Sequence, residues 1–263
     1  MQRPGPNVQT IVLDIEGTTT PIAFVYDVLF PFVRRRLRAY LLDPRRRDAL
    51  DEPLRLLRDE WVAAAEHGRE APPWLVAPVP GGPTRDESSS AADARHVESP
   101  EPLAAYIEGL MDEDRKSPGL KLLQGRMWEE GYLSGELKGD VFADVAPALR
   151  RWREAGAAVA IYSSGSELAQ RLLFGTTAFG DLTPLIARFF DTAVGAKQAV
   201  QSYHRIAHEL GVLPDRMLYI SDVTTELDAA HAAGWHVRLC IRPGNRPQPT
   251  HSHPIIQSFA DVP

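Results

Sequence analysis

IVLDIEGTTT, residues Ile11 to Thr20, is the stretch from which the rest of the chain can be read. Ile11-Val12-Leu13 is an apolar run closed by a turn signal, the pattern of a buried strand. The strand ends on Asp14. Glu16 follows two positions on, and Gly17 breaks the run. Alternate strand residues share a face, so the two acids would lie together if the strand continued. Gly17 turns the chain there instead, leaving two carboxylates at a strand's carboxyl end, where open α/β sheets bind ligands. An acid in that place is also an ordinary turn or helix-cap residue. The pair gains meaning only if partners stand at other strand ends.

Such partners come in the second half. Val145 to Gly156 reads as a helix closed by glycine, and Ala157 to Tyr162 (AAVAIY) as a buried strand. Ser163-Ser164-Gly165-Ser166 follow, then the helix ELAQRLLFG. The short apolar stretch Phe189 to Val194 precedes Gly195-Ala196-Lys197, and a helix spans Val200 to Leu210 with a turn over Gly211 to Asp215. Met217 to Ile220 is a strand running into Ser221-Asp222. The helix Glu226 to Gly234 and the strand His236 to Ile241 complete the series. Alternating strands and helices predict an α/β fold with a mostly parallel sheet. The tail, NRPQPTHSHP, reads as a loop with His251 and His253 solvated.

Between the first strand and this region the texture is helical. Ile22, Val25, Leu29, Val33 and Leu37 keep helical spacing, with an interruption expected at Pro31. Helices are also predicted over 50–70, from Pro102 through Met111, and over Lys121 to Gly131; no strand is predicted between 21 and 140. Arg34-Arg35-Arg36 and Arg45-Arg46-Arg47 read as solvated helix faces. Residues 72–102 are rich in Pro, Ser, Gly and charge, the composition of a long loop or insert. The organisation expected is therefore a core domain of residues 1–20 and 141–263, with a helical cap domain, 21–140, inserted after the first strand.

Bulk properties narrow the partners. With 263 residues and 44% apolar content the chain can bury a sizeable core. A net charge of −6 argues against nucleic acid. The single cysteine, Cys240, allows no internal disulfide and suits a reducing compartment. No apolar stretch reaches the ~18 residues of a membrane span, and MQRPGPNVQT lacks the apolar core of a signal peptide. A cytoplasmic monomer with no membrane partner is expected.

Four pieces now stand at or just past strand ends: Asp14 with Glu16, Ser163 with Ser164, Lys197, and Asp222 with Glu226. Each has a plain structural reading: Ser163-Ser164 as a helix N-cap, Lys197 as a surface lysine, Asp222 as a cap. Together they suit phosphoryl transfer on a small phosphate ester. Asp14 can attack phosphorus. Carboxylate and phosphate repel, so a hard cation such as Mg²⁺ is needed between them, with Asp14 and Asp222 as carboxylate ligands. Glu226 can hold the metal's waters or orient Lys197. A serine hydroxyl and helix-start amides can hold phosphate oxygens, and Lys197 can offset charge. Glu16 can protonate the leaving oxygen and then take a proton from water.

In that order, D-x-E-G-T, a strand then Ser, a lone Lys, and S-D-x-x-x-E resemble the four motifs of the haloacid dehalogenase (HAD) superfamily. DIEGTTTPIAFV, IYSSGS, the G-x-K-x-x-x-x-SY pattern of Gly195 to Tyr203, and SDVTTELDAA resemble its enolase-phosphatase (acireductone synthase) family of methionine salvage. LQGRMWEEGY and FADVAPALRRWREAG fit the same family. The resemblance spans almost the whole chain apart from 72–102 and the tail. It implies a Rossmann-like core with a helical cap, Mg²⁺, and 2,3-diketo-5-methylthiopentyl-1-phosphate as substrate, enolised and then dephosphorylated to acireductone. By position it makes Asp14, Glu16 and Asp222 metal ligands, Glu16 through its backbone carbonyl. It makes Asp14, Glu16 and Lys197 catalytic, and Ser163, Ser164 and Lys197 substrate contacts. Glu at the second acidic position departs from the Asp usual in the superfamily and matches this family. Phe24, Tyr26 or Trp128 could meet the methylthio group; for Trp128 the helical core is the plainer place. A dehalogenase would leave Glu16 and Asp222 idle, another HAD phosphatase would fit the four motifs alone, and a non-catalytic binder need not keep Asp14, Lys197 and Asp222.

Overall fold

The computed structural model describes residues 8–65, 101–113, 115 and 117–262. The insert expected over 72–102 lies outside these residues except for its last two, as does the end of the helix expected to reach 70. The elements follow in chain order. β1 is Thr10–Leu13, a π-helical turn covers Phe24–Leu29, and α1 is Phe30–Leu42, α2 Arg47–Ala65, α3 Glu101–Asp112 and α4 Pro118–Leu133. Then come α5 (Val145–Glu154), β2 (Ala158–Tyr162), α6 (Glu167–Gly175), β3 (Arg188–Phe190), α7 (Val200–Leu210), β4 (Met217–Ser221), α8 (Thr224–Ala232), β5 (His236–Cys240) and β6 (Ile255–Ile256). Two compact units result: Met1–Leu29 with Glu129–Pro263, and Phe30–Trp128.

The first unit is an α/β domain whose sheet runs β3-β2-β1-β4-β5-β6. Every pairing in it is parallel. β1 is central, with Thr10 opposite Ala158 of β2 on one side and Met217 of β4 on the other. All four of its residues are buried. That is why Ile11-Val12-Leu13 are continuously apolar rather than alternating, as expected of a parallel sheet covered on both faces. One core cluster gathers Val12, Ala160, Tyr162, Tyr203, Tyr219 and Trp235.

The tail NRPQPTHSHP is a loop, as expected, and it leads into one more strand. Leu239 pairs with Ile255 and Cys240 with Ile256, adding a sixth strand too short to show any periodicity. This pairing brings the tail alongside α8 and corrects the expectation of solvated histidines. The His253 Nε2 lies 2.8 Å from Asp228 Oδ1 with only 9% of its side chain exposed, and the His251 ring stacks on it.

Asp144, at the start of α5, fastens three segments. Its Oδ2 accepts from Arg242 Nη1 (2.9 Å), Ser258 Oγ (2.8 Å) and Phe259 N (2.6 Å). Burial raises its pKa, but these donors outweigh that and hold it below the usual carboxylate value. A depressed folded pKa means stabilisation present above about pH 4 and lost as pH falls through the folded value. Asp144→Ala strands the buried Arg242 without its carboxylate. It is expected to cost about 3 kcal/mol at pH 7, with the gap to wild type closing in acid. Urea midpoints at pH 7 and below pH 4 measure this; equal midpoints at pH 7 would sink it.

The second unit is helical. Val33, Leu37, Leu57, Leu103, Ile107 and Leu123 belong to its core. Trp128 packs against that core and stacks on Phe30 at 6.5 Å. Around Pro31 a short helical turn gives way to a second helix through Arg34-Arg35-Arg36, as expected, but with no break in the helical run. The chain is helical from 22 to 42, and the π turn stands just ahead of Pro31. Proline has no N–H to give, and its ring strikes the carbonyl four residues back in an α-helix; a wider turn there accommodates both. The first arginine cluster is not simply solvated either. Arg34 pairs with Asp112 at 2.6 Å, and the Arg36 guanidinium lies over the Phe32 ring. Arg38 bridges Glu101 and Glu108, so cations on α1 meet acids on α3.

Candidate active site

The end of β1 is built as a tight loop. Asp14 N donates to Ile220 O of β4, so the sheet's own ladder carries it to the edge. Ile15 O accepts from the amides of Thr18, Thr19 and Thr20, which coils the chain back at once. Asp14 and Glu16 differ in burial: Asp14 is 4% exposed, whereas Glu16 is exposed, and its charge is felt at Asp222. Gly17 has φ +69°, and a Cβ on it would collide with Asp222 Oδ2. Glycine is needed there both for the left-handed backbone and for the close approach of Asp222. Asn245 Nδ2 donates to Gly17 O at 2.9 Å and holds the turn from the loop after β5.

Lys197 enters from the loop between β3 and α7. Its Nζ lies 2.7 Å from Asp14 Oδ1 and 2.8 Å from Glu226 Oε2. Asp14 Oδ1 also accepts from Ile15 N, and Asp14 Oδ2 from Ser221 Oγ at 3.3 Å. Glu226 Oε2 takes two more donors, Tyr219 Oη at 2.8 Å and Ser221 Oγ at 3.0 Å. Three of the residues singled out from sequence, Asp14, Lys197 and Glu226, are thus in direct contact. Asp222 is buried beside Gly17. Ser163 is buried at the end of β2, where its Oγ accepts from Gly165 N at 3.2 Å; Ser164 is exposed. The N-cap of α6 is neither of them but Ser166, which accepts from Ala169 N.

Acid outnumbers base in this buried place, and the carboxyl pKa values shift upward for it. Burial raises the Asp14 carboxyl above the usual range; Lys197 works against this, while Glu226 and Asp222 reinforce it. Asp222 is pushed up to about 6 by burial and by Glu226, against Lys197. For Lys197 burial favours the neutral amine, yet Asp14 and Glu226 prevail and its pKa is raised.

Sequence reading missed several residues that shape the site. Tyr162, Tyr203, Tyr219 and Ser221 bond either the Lys197 loop or its carboxylate partners. Tyr162 and Tyr219 read as core because they sit in apolar strands. Their signal was position: one stands just before Ser163, the other two before Ser221.

A site of this kind, strand-end carboxylates with a lysine from a neighbouring loop on a parallel sheet, is matched by known proteins. The family model for haloacid dehalogenase-like hydrolases matches residues 8–234. The chain is 44% identical to enolase-phosphatase E1 of Synechococcus elongatus, over 97% of this chain and 98% of that one. It is also 44% identical to a probable bifunctional methylthioribulose-1-phosphate dehydratase/enolase-phosphatase E1 of Vitis vinifera, over 98% of this chain and 47% of that longer protein. Among solved structures, the UTR4 protein of Saccharomyces cerevisiae superposes with a TM-score of 0.71 at 32% identity, covering 97% of this chain and 100% of that one. The protein is a hydrolase of the haloacid dehalogenase-like class. Within that class it belongs to the enolase-phosphatase E1 family.

Hydrolases of this class generally use a divalent metal. Among the described residues no three His, Cys, Asp or Glu side chains converge as a ready-made cage. Mg²⁺ does not require one: it keeps several waters and takes one or two carboxylates. The donors present are hard oxygens, and two buried carboxyls raised in pKa are what a cation would hold ionised. The residues fit the group. Among the described residues, no helix is long and apolar enough to cross a membrane.

Proposed function

We propose that this chain converts 2,3-diketo-5-methylthiopentyl-1-phosphate to acireductone (1,2-dihydroxy-5-methylthiopent-1-en-3-one) and phosphate, by enolisation and then Mg²⁺-dependent phosphoryl transfer to Asp14. One observation carries the transfer step: a lysine ammonium held between Asp14 and a second carboxylate, at 2.7 and 2.8 Å, on the ligand-binding edge of the sheet. Asp14 attacks phosphorus, forming an aspartyl phosphate as the bond to the substrate oxygen breaks. Glu16 gives that oxygen a proton and then takes one from the water that frees phosphate. Lys197 offsets negative charge beside Asp14. Ser163, Ser164 and the amides entering α6 hold phosphate oxygens. The Asp14 and Asp222 carboxylates, with the Glu16 backbone carbonyl, would hold the metal. When bound it supplies positive charge between carboxylate and phosphate. The protein works as a cytoplasmic monomer on a small phosphate ester.

The substrate reading draws support from the Vitis vinifera relative, whose name pairs this activity with a methylthioribulose-1-phosphate dehydratase. Removing water from that sugar phosphate leaves a diketone that still carries phosphate and a methylthio group. The test compares phosphate release from the diketone and from p-nitrophenyl phosphate, with an ultraviolet scan for the enol. A preference of about 100-fold or more in kcat/KM for the diketone is expected, together with an enol signal. Release from the simple ester alone would refute the substrate while leaving the class of chemistry in place.

A further inference from the structure

Lys197 is gripped at both ends by buried tyrosines that the phosphoryl-transfer scheme does not use. At the backbone end, three successive carbonyls are each taken by a side-chain hydroxyl. Gly195 O accepts from Tyr162 Oη at 2.9 Å, Ala196 O from Ser202 Oγ at 2.7 Å, and Lys197 O from Tyr203 Oη at 2.6 Å. At the ammonium end, Glu226 Oε2 accepts from Tyr219 Oη at 2.8 Å while resting 2.8 Å from Nζ. The three rings also pack on one another. Tyr162 and Tyr219 each meet Tyr203 edge-on, with centroids 5.8 and 5.4 Å away, and lie 6.4 Å from each other.

A purely structural core does not call for this arrangement. Phenylalanine would fill the same space without burying a hydroxyl, and a buried hydroxyl is costly unless bonded. Here all three are bonded, two to the lysine's loop and one to its carboxylate partner. The loop needs such anchors: Ala196 and Gln198 on either side of Lys197 are exposed. The lysine stem itself carries ~2 kcal/mol of rotamer entropy that works against a fixed position. A bend at Gly195, with φ +137° and no room for a Cβ beside Ser202 Oγ, lets the loop come this close to α7.

We propose that Tyr162, Tyr203 and Tyr219 are positioning residues for Lys197. Tyr162 and Tyr203 fix the backbone from which it springs, and Tyr219 fixes the Glu226 carboxylate against which its ammonium rests. The proposal rests on Lys197 being the working cation beside Asp14. The experiment therefore measures Lys197→Ala next to Tyr203→Phe and Tyr219→Phe, in the Mg²⁺-loaded full chain. A 1 Å misplacement of a working group costs about 100-fold. Each Tyr→Phe variant is expected to lose about 10- to 100-fold in kcat, with KM within about twofold. The readout that a structural role would not move is acylation of Lys197 by an N-hydroxysuccinimide ester, followed by peptide mass spectrometry. Lys197 is expected to react faster in both variants, with Lys121 and Lys138 unchanged. A wild-type kcat, or a fall in kcat without faster labelling of Lys197, overturns the proposal. If a Tyr→Phe variant fails to fold, Ser202→Ala, which removes the side-chain donor to Ala196 O and leaves that carbonyl its bond from Ala199 N, is judged by the same two readouts. Lys197→Ala at wild-type rates would instead overturn the role of Lys197 itself.

Discussion

Asp14→Asn is expected to abolish phosphate release while leaving the fold intact. The amide oxygen can still accept from Ile15 N, so the β1 loop keeps its shape. What is lost is the nucleophile and the charge that meets Lys197 at 2.7 Å. Removing a nucleophile that acts in concert with its neighbours costs on the order of 10⁴-fold or more in kcat. The substitution also removes a buried carboxyl whose ionisation is disfavoured in the fold. In ion-free buffer the variant should therefore melt no lower than wild type at pH 8. Single-turnover phosphate release and a thermal melt measure the two halves. Release within tenfold of wild type would remove Asp14 from the chemistry. The ultraviolet signal of the enol, followed in the same variant, tells whether enolisation also needs this carboxylate.

Chelation is the second large effect. EDTA is expected to stop turnover, and added Mg²⁺ to restore it, with Asp222→Asn needing more Mg²⁺ for the same rate. Stability should respond as well. The folded pKa of Asp222 lies above its ordinary value, at about 6. The native state then holds protons that the unfolded chain gives up, so the ion-free protein loses stability as pH rises from about 4 through 6. At about 1.4 kcal/mol per pKa unit, Asp222 alone accounts for on the order of 3 kcal/mol of this. Saturating Mg²⁺ should flatten the slope. Urea midpoints at pH 5 and pH 8, with and without Mg²⁺, measure it. Identical pH dependence in both conditions would mean that no cation relieves these carboxylates.

The α/β alternation was legible because β1, β2 and β4 carry apolar runs bounded by turn residues, and β5 alternates apolar with polar residues; β3, three residues long, showed only as part of an apolar stretch. β6 was not legible, since two isoleucines carry no period and their role depends on β5 as a neighbour. The π turn before Pro31 escaped for another reason: proline forbids a regular α-helix and says nothing of the irregular one that replaces it. At the site, residue types and order singled out Asp14, Lys197 and Glu226, which the structure brings within bonding distance. Spacing could not foresee that Asp14 is buried and Glu16 exposed, because that depends on the coil made by three amides closing on Ile15 O. Nor could it separate Tyr162 and Tyr219 from ordinary core, since a hydroxyl's partner lies across the sheet and not along the chain.

The central place of β1 has a consequence for how the protein is made. The ribosome delivers Thr10–Leu13 long before the neighbours of these residues, which arrive with Ala158–Tyr162 and Met217–Ser221. Throughout that interval the emerging polypeptide carries an unpaired apolar segment, while the helices of residues 30–128 are made and can form from local contacts. Of the strands in the sheet, β1 waits longest between its own synthesis and that of both its neighbours. Premature termination anywhere before Glu226 would leave Asp14 without its full set of partners, and the exposed segment as a target for chaperones and proteases.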